Sequence, residues 1–193
     1  MGGHRHTLFS LAEDCFGYVT SDQALEAGID SVQLAQLARR GTLQRSSYGV
    51  YRLVDFPVTP LDPYMAAALW PRGVQGVITH DSALDLYAVS DVSPIALHVT
   101  VPRAHRVRRT TPKMYVIHHA DLAASDITFH DGIPVTTLRR TIFDCIRAGV
   151  GYELLAQAIE NGTDQGHLTT AERNDLARAL AARGTGSESG GDV

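Results

Sequence analysis

The sequence predicts an α+β protein: an N-terminal winged helix-turn-helix followed by a mixed α/β C-terminal domain with a small sheet and several helices. Two observations predict it. Residues 20–53 read in order as helix, turn, helix and β-hairpin, and beyond a proline-punctuated connector strand and helix patterns are interspersed. The expected division is a winged helix-turn-helix at 5–54, a Pro-rich connector at 55–63, an α/β partner-binding domain at 64–183 and a flexible tail at 184–193.

The N-terminal elements follow from spacing. Leu8, Phe9, Leu11, Ala12, Cys15 and Phe16 recur at helical intervals. Ser21 is then placed to cap a helix carrying Ala24, Leu25 and Ala27, and Gly28 ends it. Ser31 is placed to cap the next helix, whose inner face is Leu34, Leu37 and Ala38. Its outer stripe, Gln33, Gln36 and Arg40 at i, i+3 and i+7 with Arg39 beside it, holds the side chains that pair bidentately with adenine and guanine edges. After Gly41, alternation of Leu43, Arg45, Val50 and Arg52 around Ser46, Ser47 and Gly49 predicts a hairpin with its basic residues on one face. Ser31, Gln33, Gln36, Arg39, Arg40, Arg45, Ser46, Ser47 and Arg52 are therefore the candidate DNA-contacting residues, with the wing on phosphates beside the groove.

The C-terminal pattern is mixed. Asp62 is placed to cap a helix through Leu69 that stops at Trp70-Pro71, residues 77–79 read as a short strand, and Asp81 or Ser82 is placed to cap a helix carrying Ala83, Leu84, Leu86, Tyr87 and Val89. Residues 95–101 alternate with period two, residues 114–118 and 126–129 read as further strands, and Asp131-Gly132 turns the chain into 133–136. Thr137 caps a helix ending at Gly149; a second follows and is broken at Gly162; Thr169 caps the last, through about residue 182.

Charge restricts function. The net charge of −4 and pI near 6.1 exclude a generally polybasic nucleic-acid coat, so contact with DNA has to be focal. Residues 1–57 carry five Arg against six acids, but Arg39, Arg40, Arg45 and Arg52 cluster at the helix end and wing. A second basic run, Arg103, Arg106, Arg108, Arg109 and Lys113, contains no acid. Alternation places Arg106 and Arg108 on one face of a strand or hairpin, facing DNA phosphates, an anionic partner or only solvent. Arg139 and Arg140 oppose the dipole at a helix start, which points to a negative partner, with Asp144 one turn later as the local alternative. Arg103, Arg106, Arg108, Arg109, Arg139 and Arg140 are the candidate partner-binding set. No apolar run of about 18 residues and no signal-peptide core is present, so the expected location is the cytoplasm, away from membranes.

No catalytic set is legible. Cys15 and Cys145 fall in apolar helical patterns and read as buried free thiols. His118 and His119, with Asp121 and His98 or His130, are metal-ligand types, but adjacent strand residues face opposite sides, so the pair does not converge on one ion. The expectation is one half-buried and one exposed strand histidine, and no metal or cofactor. An N-terminal Gly-Gly-His suits copper or nickel but needs no metal to exist, and His6 breaks the myristoylation pattern. His80, Asp81 and Ser82 are sequential and lack a nucleophile elbow, and Gly73-x-x-Gly76 is not a phosphate loop. The expected protein is not an enzyme.

Three stretches carry a family resemblance: Gly17-Tyr18-Val19-Thr20 leading into Ala24-Leu25-Glu26-Ala27-Gly28, the wing sequence Gly49-Val50-Tyr51-Arg52-Leu53, and residues 131–144. The strand His98-Val99-Thr100-Val101-Pro102 before the basic run is a fourth. In this order the chain resembles the AbiEi-type antitoxins of type IV toxin-antitoxin systems. The resemblance implies a transcriptional autorepressor that binds double-stranded promoter DNA at repeats and opposes a cognate nucleotidyltransferase-like toxin, as a monomer or weak dimer binding cooperatively. The alternatives are a stand-alone winged-helix regulator and a protein-interaction module that never touches DNA. A related endonuclease-like arrangement needs paired acids and a Lys, and the single Lys113 has no acid close by in sequence.

Overall fold

The computed structural model describes residues 2–185. The N-terminal half contains α1 (Gly2–Ala12), β1 (Tyr18–Thr20), α2 (Ser21–Glu26), α3 (Ser31–Arg39), β2 (Leu43–Ser47) and β3 (Val50–Leu53). β1, which the sequence pattern did not single out as a strand, pairs antiparallel with β3 and completes a three-stranded sheet in the order β1-β3-β2. Leu8, Ala12, Val19, Ala24, Ile29, Leu34, Leu43 and Leu53 form the core beneath the helices. Both helix starts lie one residue earlier than expected. Thr20, not Ser21, caps α2, and Asp30, not Ser31, caps α3, each through a capping box with the Gln three residues on. A Gln at that offset accepts from the cap residue's own N–H, so Thr-x-x-Gln and Asp-x-x-Gln satisfy two backbone donors where Ser21 and Ser31 satisfy one.

The C-terminal half contains α4 (Asp62–Leu69), β4 (Val77–Ile78), α5 (His80–Leu86), β5 (Leu97–Val101), β6 (Tyr115–His119), β7 (Ile127–His130), β8 (Ile133–Thr136), α6 (Leu138–Ala148), α7 (Tyr152–Asp164) and α8 (Thr170–Thr185). Its five strands lie in the order β6-β5-β4-β8-β7, with β5/β6 and β4/β8 parallel and the other pairs antiparallel. The fold is thus α+β, a winged helix-turn-helix followed by an α/β half. Several details differ from the sequence pattern. Asp62 is the first residue of α4 rather than its cap, and α5 begins at His80, after Thr79, so neither Asp81 nor Ser82 caps it. Residues 103–113 hold no strand. α7 runs through Gly162, where a Cβ would lie 2.3 Å from Leu138 Cδ2. That glycine admits the close approach of α6 and does not break the helix. α8 continues to Thr185, and the rest of the predicted tail, 186–193, lies outside the described residues.

The small sheet has two apolar faces. Val19, Leu43 and Leu53 pack against the N-terminal helices, whereas Tyr18 and Val50 belong to the larger core with Tyr64, Ile78, Leu84, Val99, Val135 and Ile142. The two halves are therefore fastened through β1 and β3. Arg52 stands on that fastening face, opposite Tyr18 and Gln44. Its Nε donates to Asp62 Oδ2 at 2.8 Å, and its terminal nitrogens donate to the carbonyls of Pro57 (2.8 Å), Phe56 (3.1 Å) and Leu53 (3.4 Å). The other Asp62 oxygen accepts from Thr59 N and Oγ1. Further ties are exposed: Arg72 with Asp22 at 2.9 Å, and Arg5 with Asp55.

Two substitutions test this packing. Arg52→Ala leaves the buried Asp62 carboxylate without its cation and is expected to cost about 3 to 5 kcal/mol in a urea unfolding titration. Gly162→Ala forces a methyl against Leu138 and is expected to cost about 1 to 3 kcal/mol in the same assay.

Candidate nucleic-acid interface

α3 occupies the second-helix position of the helix-turn-helix, the position that enters the major groove in such motifs. Leu34 is fully buried, with Leu37 and Ala38 packed beside it, and this fixes which face turns outward. Ser31, Val32, Gln36, Arg39 and Arg40 are exposed; Gln33 is only half exposed. Gln33 Oε1 accepts from Asp30 N at 2.8 Å, and bidentate pairing with adenine requires that same oxygen. Gln33 is thus a capping residue, and reading a base with it means opening the box. The outward stripe is Val32, Gln36 and Arg39 at i, i+4 and i+7, with Arg40 at the helix end. Val32, 62% exposed, is not legible as a contact residue in the sequence, because an apolar residue beside a capping position reads as packing. An apolar side chain there suits a thymine methyl group.

The wing separates its two arginines. Arg45 pairs across with Tyr51, and Arg52 with Gln44, so the two stand on opposite faces; a register irregularity follows between Arg45 and Ser47. Arg45 is exposed, with its guanidinium 5.2 Å from the Tyr48 ring centre. Arg52 points inward and is spent on Asp62 and three carbonyls, so the expectation that it holds a phosphate is corrected. Ser46 is exposed and Ser47 half-buried, beside the turn that Gly49 makes at φ +77°.

The second arginine group also divides. Arg103, Arg106 and Arg108 are exposed on the 103–113 loop, while Arg109 stacks on Trp70 at 4.2 Å and donates to Tyr48 O at 2.6 Å, tying the loop to the wing turn. Ser47, Tyr48, Arg72, Arg106 and Arg108 line one cleft of about 710 Å³. Arg140 donates to Asp126 at 2.6 Å and to Asp144 at 2.9 Å, so the local alternative accounts for it and the expected external partner is not needed. Arg139 is exposed over the Phe143 ring.

His118 is half-buried and His119 exposed, on opposite sides of β6. Sequence spacing missed where His118 points: its Nε2 lies 3.2 Å from His98 Nδ1, and its ring stacks on His80 at 4.0 Å. His130 sits on β7, at the other edge of the sheet. The Cys145 thiol is buried and its pKa is pushed up, first by burial and then by Asp81 and Asp144.

Residues 6–54 match the family model described as a transcriptional regulator, AbiEi antitoxin. The N-terminal winged helix is similar to that family over this stretch. The match covers the helix-turn-helix and wing and stops before the α/β half. A comparison with curated proteins finds no match. The crystal structure of RV2827C protein from Mycobacterium tuberculosis is similar over 89% of this chain and 79% of that one, at 14% identity and a TM-score of 0.43. Among the described residues no helix is long and apolar enough to cross a membrane.

Asp30→Ala removes the α3 cap and is expected to lower stability by about 0.5 to 2 kcal/mol, measured by urea unfolding.

Proposed function

We propose that this chain is an antitoxin and transcriptional autorepressor: its winged helix binds repeats in its own promoter, and its α/β half opposes a nucleotidyltransferase-like toxin. No catalysis is part of the reading. The observation that carries the DNA half is the outward stripe of α3, ending in Arg39 and Arg40, with the exposed Arg45 of the wing on the same AbiEi-type module. In this reading Gln36 and Arg40 read base edges, Val32 meets a thymine methyl, and Arg39, Arg45, Ser31, Ser46 and Ser47 hold the backbone. The shared cleft supports phosphate contact by Arg106 and Arg108 as an extension of the wing. Two copies on one duplex face require half-sites about 10 base pairs apart or a multiple of that. The toxin half rests on the family resemblance, and Arg103 and Arg139 are its exposed basic candidates.

Binding to a promoter fragment, followed by electrophoretic shift at several salt concentrations, tests the DNA half. Arg40→Ala or Gln36→Ala is expected to cost about 1 to 3 kcal/mol and relax one base preference, whereas Arg45→Ala weakens all sequences alike and lowers the salt slope by about one. Promoter binding that is undetectable, or that none of these variants changes, defeats the assignment in favour of a protein-docking module. Co-expression with a nucleotidyltransferase-like toxin encoded beside it, read as growth rescue, tests the antitoxin half separately.

A further inference from the structure

Three imidazoles from distant parts of the chain meet where the start of α5 crosses β5 and β6. β5 and β6 run parallel with Thr100 opposite His118, so His98 and His118 stand two residues apart along one face of the sheet. His80 opens α5 directly after β4, and Thr79 N donates to His98 O at 3.0 Å, which draws this turn against β5. One ring nitrogen from each histidine lies within 4.8 Å of the others. His118 Nε2 and His98 Nδ1 are 3.2 Å apart, close to the roughly 3.3 Å that separates two nitrogens bound to one tetrahedral zinc at about 2.0 to 2.1 Å.

The surroundings favour ligation. His80 Nδ1 is 3.0 Å from Thr79 Oγ1, which is 3.0 Å from Thr100 Oγ1. An outer partner on one ring nitrogen fixes ring orientation and leaves the other nitrogen for an ion. His80 is also held at φ +57°, a left-handed conformation that a β-carbon disfavours and that clusters at functional positions. Asp81 Oδ1 lies 3.5 Å from His98 Nδ1 as a carboxylate within reach of the same place. Of the arginines nearby, Arg140 is neutralised by Asp126 and Asp144. His80 and His118 also line a cleft of about 620 Å³ with Asp121, Asp144, Arg103, Arg140 and Arg147, which gives an ion a route in.

We propose that His80, His98 and His118 form a binding site for a borderline-soft divalent transition-metal ion of the zinc type. Nitrogen ligands in this number suit zinc, cobalt or nickel rather than calcium or magnesium, which take oxygen. The site is independent of the winged helix and of the DNA reading.

The test uses the full chain, stripped with a chelator and titrated with Co²⁺, whose visible absorption is intense only in a tetrahedral site, followed by Zn²⁺ displacement. One ion per chain is expected, with Zn²⁺ raising Tm, in the wild type and in His119→Gln. His118→Gln and His80→Asn are expected to weaken Zn²⁺ binding by at least about tenfold. Asn tolerates the left-handed backbone at position 80, so that variant keeps the fold, which circular dichroism checks. The proposal is overturned by the absence of the tetrahedral Co²⁺ band, or by undiminished binding in both ligand variants, which would place the ion on other histidines such as His4 and His6.

Discussion

The inward turn of Arg52 is the constraint on which the rest of the arrangement depends. A guanidinium offers five donors in a plane, and here Asp62 and three carbonyls occupy four of them at the point where the wing's last strand gives way to the connector. Neither charge is tolerable alone in that position, so β3, residues 56–59 and the start of α4 have to be assembled together. A basic residue of the wing thus serves the junction between the two halves.

Several features follow from that junction. Because the sheet presents Tyr18 and Val50 to the α/β core and Val19, Leu43 and Leu53 to the helices, it is covered on both sides and holds α3 at a set angle to the second half. The same docking brings the 103–113 loop to the wing turn, where Arg109 is fixed between Trp70 and Tyr48. Arg106 and Arg108 then share a cleft with wing residues far away in sequence. A chain that is acidic overall thereby concentrates positive charge around one structure, as focal rather than general binding of an anion requires.

Much of this was legible residue by residue. The helical faces of α3 and α6, the hairpin around Gly49, the strands from β5 to β8 and the caps at Thr137 and Thr169 depend on neighbours three or four positions away, and local spacing predicted them. The misreadings share a cause. Ser21 and Ser31 are cap-type residues, but the glutamine three residues on selects Thr20 and Asp30. A glycine's local meaning is flexibility, whereas the value of Gly162 is the space it leaves for Leu138. The burial of Arg52 and the pairing of Arg140 with Asp126 have no counterpart in local pattern, since those acids are positioned by tertiary packing, whereas Asp144, one turn along the same helix, is legible from spacing.

By itself the sequence determined the class of fold, the order of its helices and of its strands other than β1, and the second helix of the helix-turn-helix, because these rest on the 3.6- and 2-residue periods and on short-range capping. Only the tertiary structure decided which polar side chains are free. Ion pairing and imidazole clustering depend on distances of a few ångströms between residues 10 to 66 positions apart, as in Arg52 with Asp62, His98 with His118 and Gln157 with Asp91. No periodicity along a chain encodes such meetings; they arise when sheets and helices close around a core.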